Sequence, residues 1–312
     1  MKTLKRLIIV LCIIILLTGC ISNQSTENTS DNTPKRSANI QSSSKPKSDW
    51  NIAFKSKFEE STFYLAGFQD DTNGILLGYI GDAYYSNNGG ASWTKTDNKG
   101  HLLLGLDMLD AMNGYSCGDV GSIRVTSDGG VTWTRLPDYE AYDQNPYFFI
   151  SFADRNNGWV ASTTKLGATV YGGKSFSTLK LPHTINTIVA INLLTPDNGY
   201  VLDSSGLLYA TSDSGKTWTK KSLELKDERI TGISAAPAAV LRFQAPNNAI
   251  AIFFSRDKKL RALRTSDSGD TWVDEPMPDI NYGHLYLSRD SKLLTVANHI
   301  EKEISVLKYT AE

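Results

Sequence analysis

Apolar residues along most of this 312-residue chain come in short stretches parted by turns, and no helix of useful length is evident. Stretches such as Tyr115-Ser116-Cys117 alternate in the manner of a strand. An Asn-Gly pair introduces several of them: Asn73-Gly74-Ile75, Asn113-Gly114-Tyr115, Asn157-Gly158-Trp159 and Asn198-Gly199-Tyr200. Asn-Gly between apolar stretches predicts a tight hairpin, because both residues tolerate positive φ. A further turn follows each strand and contains Gly81, Gly121 or Gly206.

The segment Thr126-Ser127-Asp128-Gly129-Gly130-Val131-Thr132-Trp133 recurs. Thr211 to Trp218 and Thr265 to Trp272 are near copies, Ser86 to Trp93 differs by conservative swaps, and a worn copy ends at Ser175-Phe176. The closing aromatics lie at 93, 133, 176, 218 and 272, at intervals of 40, 43, 42 and 54 residues. Each Asn-Gly pair places its Asn 19 or 20 residues before the aromatic, so two signals keep one step. That period suits one four-stranded propeller blade. In each box Asn88, Asp128, Asp213 or Asp267 is placed to accept bonds from its own turn's N–H groups, and glycine supplies a left-handed backbone. Trp93, Trp133, Trp218 and Trp272 then pack against neighbouring strands or sheets. Turn formation outranks a catalytic reading of these acids, since a repeated turn needs no substrate.

The box resembles the Asp-box, or BNR, motif of sialidases, sortilin-type receptors and related β-propellers. The fuller unit runs from Asp110-Ala111-Met112-Asn113-Gly114-Tyr115 through Gly118-Asp119-Val120-Gly121 to Asp128–Trp133. It is similar to propellers of the photosystem II assembly and stability factor type, over roughly residues 60 to 276. In bacteria without a photosystem that resemblance implies an extracytoplasmic binding or assembly role. The fifth unit departs from the pattern: Asn248-Ala249 replaces Asn-Gly, 24 residues before Trp272.

The amino terminus carries Lys2, Lys5 and Arg6, then an apolar run from Leu7 to Leu17, then Leu17-Thr18-Gly19-Cys20. The run is too short for a stable transmembrane helix and reads as a signal peptide, residues 1–19, ending at a lipoprotein processing site. In lipoproteins, which these residues resemble, Cys20 becomes the acylated first residue outside the cytoplasm. Residues 20–49 are rich in Ser, Asn, Thr, Lys and Pro and predict a disordered tether with a reach of roughly 30 Å. The propeller is expected over 50–312.

Removing residues 1–19 leaves 29 basic and 33 acidic residues, a net charge of −4, and no basic run that suggests nucleic acid. Of three cysteines only Cys117 lies in the folded body, where it reads as a small buried hydrophobe. His101, His183, His284 and His299 show no paired ligand spacing, so no metal and no cofactor is expected.

At about 42 residues per blade, 263 residues predict an all-β propeller of six four-stranded antiparallel blades. The assembly factors that it resembles tend to have seven, the alternative count. The sixth blade is expected from His284–Leu287, Leu293–Asn298 and Ile304–Tyr309, with Asn51–Lys57 closing the ring as fourth strand. The Asn-Gly turns and Asp-boxes then share one face, and the variable loops occupy the other, where binding usually sits. Candidate ligand-binding residues there are Tyr139, Tyr142 and Asp143, in a loop joining aromatic and acidic groups, with Asp82, Asp119, Asp203 and Arg256. For each of the three acids taken singly, a β-turn role outranks ligand binding. The segment Ser61–Gly81 holds no arginine, which counts against a sialidase. The expected function is therefore a lipid-anchored, extracytoplasmic module on the cell membrane that binds a protein partner. The alternative is a surface carbohydrate-binding protein or glycoside hydrolase.

Overall fold

The computed structural model describes residues 48–58, 63–78, 81–96, 102–136, 146–225, 229–230 and 239–310. Cys20, the tether up to residue 47, and Tyr139, Tyr142 and Asp143 lie outside them. The described strands form six antiparallel four-stranded sheets. Blade 1 contains β2 (Phe63–Phe68), β3 (Gly74–Gly78), β4 (Ala83–Ser86) and β5 (Thr94–Thr96). Blade 2 contains β6 (Leu103–Met108), β7 (Gly114–Gly118), β8 (Ile123–Thr126) and β9 (Thr134–Arg135). β10 (Phe149–Phe152), β11 (Gly158–Ala161), β12 (Leu166–Thr169) and β13 (Ser177–Leu179) make blade 3. β14 (Ile188–Leu193), β15 (Gly199–Asp203), β16 (Leu207–Thr211) and β17 (Thr219–Ser222) make blade 4. Blade 5 follows with β18 (Ala239–Ala245), β19 (Asn248–Phe254), β20 (Leu260–Thr265) and β21 (Val273–Glu275). In blade 6, β22 (His284–Leu287), β23 (Leu293–Asn298) and β24 (Glu303–Tyr309) are completed by β1 (Trp50–Lys57). The first strands β2, β6, β10, β14, β18 and β22 contact one another in succession and close into a ring.

Six blades, and closure by the amino-terminal strand, agree with the sequence expectation. Trp50 pairs with Tyr309 and Lys57 with Glu303. Phe54 of β1 also meets Phe68 of blade 1 edge-on, ring centroids 5.1 Å apart, so one strand both finishes blade 6 and seals it to blade 1.

Among the described residues six apolar clusters make up the core, and each belongs to a seam between successive blades. Tyr115, Cys117 and Ile123 of blade 2 pack with Ile150, Phe152 and Val160 of blade 3. Leu202 and Leu208 of blade 4 pack with Leu241 and Phe243 of blade 5. Second strands are therefore buried on both faces: Ile75 and Leu77 enter the seam with blade 2, and Leu76 the seam with blade 6. Cys117 behaves as the expected small hydrophobe, its thiol pushed well above its ordinary pKa by complete burial.

The Asn-Gly pairs correct one expectation, because none of these residues has a positive φ. The turn is a longer Asp-x-x-Asn loop, closed by Leu109 N–H to the Asn113 carbonyl at 2.8 Å in blade 2. Asp110 Oδ1 accepts from the N–H groups of Met112 and Asn113, at 2.8 and 2.7 Å. Asp70 and Asp154 repeat the arrangement. The glycine answers to packing instead: a Cβ at Gly114 would meet Met108 Sδ at 2.1 Å, and one at Gly158 the Phe152 ring at 2.4 Å. Glycine is the one residue that lets the first strand's last side chain fold over its neighbour's start.

The boxes form as expected. Asp128 Oδ1 accepts from Thr132 N–H at 2.9 Å and from the Thr126 hydroxyl at 2.8 Å, and Thr126 Oγ1 accepts from Gly130 N–H at 2.9 Å. Asp213 and Asp267 repeat this, and Asn88 does the same through Ser86 and Ser92. Gly130, at φ 89°, takes the left-handed conformation the turn needs. Gly129 N–H reaches the Met112 carbonyl at 2.8 Å, so boxes and Asp-x-x-Asn turns share a face. The closing tryptophans pack back on the preceding blade: Trp133 against Leu65, Ile75 and Leu77, and Trp218 beside Trp159 at 5.8 Å with its indole N–H on the Lys180 carbonyl at 3.1 Å.

Replacing Asp128 by Ala removes acceptors for one backbone N–H and two hydroxyls, and is expected to cost about 1–2 kcal/mol in urea unfolding. Asp128→Asn should cost less, since Asn88 already serves that place in blade 1. Hydrogen bonds from Thr217 and Thr211 hold the Asp213 carboxyl down to about 2, and Thr271 likewise holds Asp267 well below its usual range. A depressed folded-state pKa stabilises above the ordinary value near 3.8 and is lost as pH falls toward 2. The melting temperature should therefore fall between about pH 4 and 2 by less in Asp213→Asn than in the parent chain.

Candidate functional site

One register position of the first strand, seven residues before the glycine of each Asn-Gly pair, carries Gly67, Asp107, Ser151 and Asn192. Arg242 and Tyr286 occupy it in blades 5 and 6. Together they make a polar belt around the channel. Asp107 Oδ2 accepts the Phe152 N–H of blade 3 at 2.7 Å. Ser151 accepts the Leu193 N–H of blade 4 at 3.0 Å, and Asn192 the Phe243 N–H of blade 5 at 2.8 Å. Each side chain thus satisfies a backbone donor of the next blade, which has no strand partner across the seam.

The belt closes differently on its other half. Arg242 donates to the Leu287 carbonyl of blade 6 at 3.4 Å and reaches across the channel to Asp107 Oδ1 at 3.3 Å. Tyr286 accepts from Gln69 and lies over Gly67, where a Cβ would meet its ring at 2.8 Å. Burial, with the charge of Asp107, pushes the Tyr286 hydroxyl up to about 12. On one side of the belt the channel is apolar, lined by Leu65, Phe149, Ile150, Ile191, Val240 and Leu285 around a cavity of about 60 Å³. That is room for a few water molecules.

The opposite side opens toward the Asp-box face. There a second arginine, Arg289 in the β22–β23 turn, spans to blade 3 and donates to the carbonyls of Phe152 at 3.0 Å and Ala153 at 2.9 Å. Gln244 braces the same turn through the Asp290 carbonyl at 2.7 Å. Arg242, Gln244, Arg289 and Asp290 wall a pocket of about 300 Å³ whose remaining lining includes Leu193, Leu194 and Phe243. A concave site with an apolar wall and a few fixed polar groups is the usual form of a ligand pocket.

The sequence-predicted candidates lie elsewhere. Asp82, Asp119, Asp203 and Arg256 occupy second-to-third-strand turns or their edges in four different blades. Asp203 is fully buried, Oδ1 accepting from Ser205 and Leu207 N–H and Oδ2 from Asn186 N–H, the bonds of a turn-forming residue. Asp82 pairs with Lys95 at 2.7 Å, and Arg256 is exposed. Among the described residues no three His, Cys, Asp or Glu side chains converge as a metal site, and Asp107 is the one carboxylate on a described first strand. Of the two pocket arginines, Arg289 belongs to no repeated motif, whereas Arg242 stands at the belt position of blade 5. The belt had a signal, a polar residue at a fixed offset inside an apolar strand.

No family model matches the sequence, and no curated protein matches it. Solved structures share the fold. The structure described as YCF48 bound to D1 peptide is 13% identical at TM-score 0.50, the match covering 86% of this chain and 96% of that one. A chain of the Mitotic Checkpoint Complex matches at 10% identity and TM-score 0.58, covering 93% and 100%. Virginiamycin B lyase from Staphylococcus aureus matches at 12% and 0.53, covering 83% and 99%. The chain is a six-bladed β-propeller, a scaffold whose likenesses include both peptide-bound and enzymatic proteins.

Asp107→Ala would strand the Arg242 guanidinium and the Phe152 N–H in a buried setting. A loss of about 3–5 kcal/mol in chemical unfolding is expected, against a smaller loss for Asp107→Asn, which keeps the acceptor.

Proposed function

We propose that this propeller is a lipid-anchored, extracytoplasmic module that binds a polypeptide partner. The observation that carries the binding reading is the 300 Å³ pocket at the channel mouth, where two arginines are held by carbonyls and a carboxylate of other blades beside an apolar wall. Side chains fixed before a ligand arrives lose little entropy on binding. The one carboxylate of the described first strands is spent on Phe152 and Arg242, which supports binding over a two-carboxylate hydrolysis in the channel. The likeness to YCF48 bound to D1 peptide supports a peptide as the ligand class. The anchor rests on the leader and Leu17-Thr18-Gly19-Cys20.

Two measurements test this. Cys20→Ala should move the chain from the membrane fraction to the soluble fraction, and mass spectrometry of the parent should find acyl chains on Cys20. Crosslinking in the native membrane, followed by affinity capture, should recover one dominant protein whose yield falls in Arg289→Gln. If yield falls instead only when Tyr139, Tyr142 and Asp143 are changed together, the segment that carries them is the binding site. Recovery of glycan alone, or release of sugar, would overturn the protein-binding reading.

A further inference from the structure

We infer that the mouth pocket takes a ligand bearing a single carboxylate on an apolar body, with Arg289 as the main anion-binding group; the inference rests on the binding reading above. Arg289 spends one N–H of each terminal nitrogen on the Phe152 and Ala153 carbonyls. Of a guanidinium's five donors, three remain in a planar fork. Among the described residues no carboxylate lies within ion-pair distance of Arg289. The Nε of Arg242 is buried and donates to nothing, so the second arginine also carries an unmet donor at the pocket's edge. A buried donor without a partner is costly, and an acceptor brought by a ligand relieves that cost.

The charge balance selects the anion. Arg242 is already matched by Asp107, and Asp290 sits in the same turn as Arg289, with Oδ1 turned back to the Ser288 hydroxyl and Lys292 N–H. Asp154 also lies near enough for the Arg289 charge to help hold its carboxyl below the usual range, so nearby acids limit the charge the site can take while the spare donors of Arg289 remain. Arg289 can answer one negative charge, whereas a phosphate dianion would add a second, uncompensated one beside Asp154 and Asp290. Leu193, Leu194 and Phe243 supply an apolar surface next to the donors, which favours a carboxylate joined to a hydrocarbon over a hydrated inorganic ion. The volume is at the small end for ligand pockets and suits one or two residues of a chain terminus, or a free acid of that size.

The test is isothermal titration of the full-length chain with an N-acetylated Ala-Ala-Ala-Leu peptide as free acid and as C-terminal amide. N-acetylleucine and inorganic phosphate are the further probes. The acid should bind about tenfold or more tightly than the amide, and phosphate should not compete. Arg289→Gln should remove the acid-over-amide preference. Leu194→Trp, which fills the pocket and leaves both arginines in the chain, should weaken acid binding by about tenfold as well and guards against misfolding in the first variant. Binding of N-acetylleucine equal to the peptide's supports the site with a free acid as its source; a requirement for the preceding residues supports it with a chain end. Equal affinity for acid and amide, displacement by phosphate, no binding of either acid at about millimolar concentration, or unchanged affinity in both variants would overturn the inference. If partner capture still depends on Arg289 while acid and amide bind alike, this inference falls and the protein-binding reading stands.

Discussion

No blade of this propeller can bury its own surfaces. A four-stranded sheet has two apolar faces, and here each is covered by the next blade, so the core is six seams and not one centre. That arrangement is stable only when the last seam is shut. The shutting falls to β1, whose backbone completes blade 6 and whose Phe54 enters the seam with blade 1. An open ring would expose both a strand edge and two apolar faces, which is why the amino-terminal strand matters far beyond its own length.

The seams also explain the polar belt. Where two sheets meet face to face, backbone N–H groups near the channel have no strand to pair with, and water is excluded from them. Asp107, Ser151 and Asn192 each answer one such donor of the following blade. Arg242 has no acceptor and Tyr286 takes its bond from the Gln69 side chain, so these blades are joined differently, Arg242 bracing across the ring to Asp107 and Tyr286 lying over Gly67 of the neighbouring blade. Arg289 adds a second strut from blade 6 to blade 3. The mouth pocket lies between these struts, so the features that stabilise the ring also position its most evident binding groups.

How far the chain could be read in advance depends on whether a feature repeats. The Asp-box turns were legible down to their acceptors, because every bond of Asp128 is made within its own eight residues. The Asn-Gly pair located its turn correctly but for a different reason than local φ preference. Gly114 and Gly158 are glycine because Met108 and Phe152 lie where a Cβ would be, a clash between residues of paired strands that a turn rule does not contain. Asp203 was legible as a turn residue, and only the fold shows it closed to solvent by Asn186, Ser205 and Leu207.

The sequence by itself determined the strand periodicity, the box turns, the count of blades and the terminal strand that closes them, since each follows from local hydrogen bonding or from a fixed spacing along the chain. Tertiary structure alone decided which side chains meet in the channel. Asp107 and Arg242 are 135 residues apart, and Phe152 and Arg289 are 137 apart. Their encounter depends on the curvature that brings blades 2 and 5, and 3 and 6, to opposite sides of one narrow ring, and no local pattern encodes that closure.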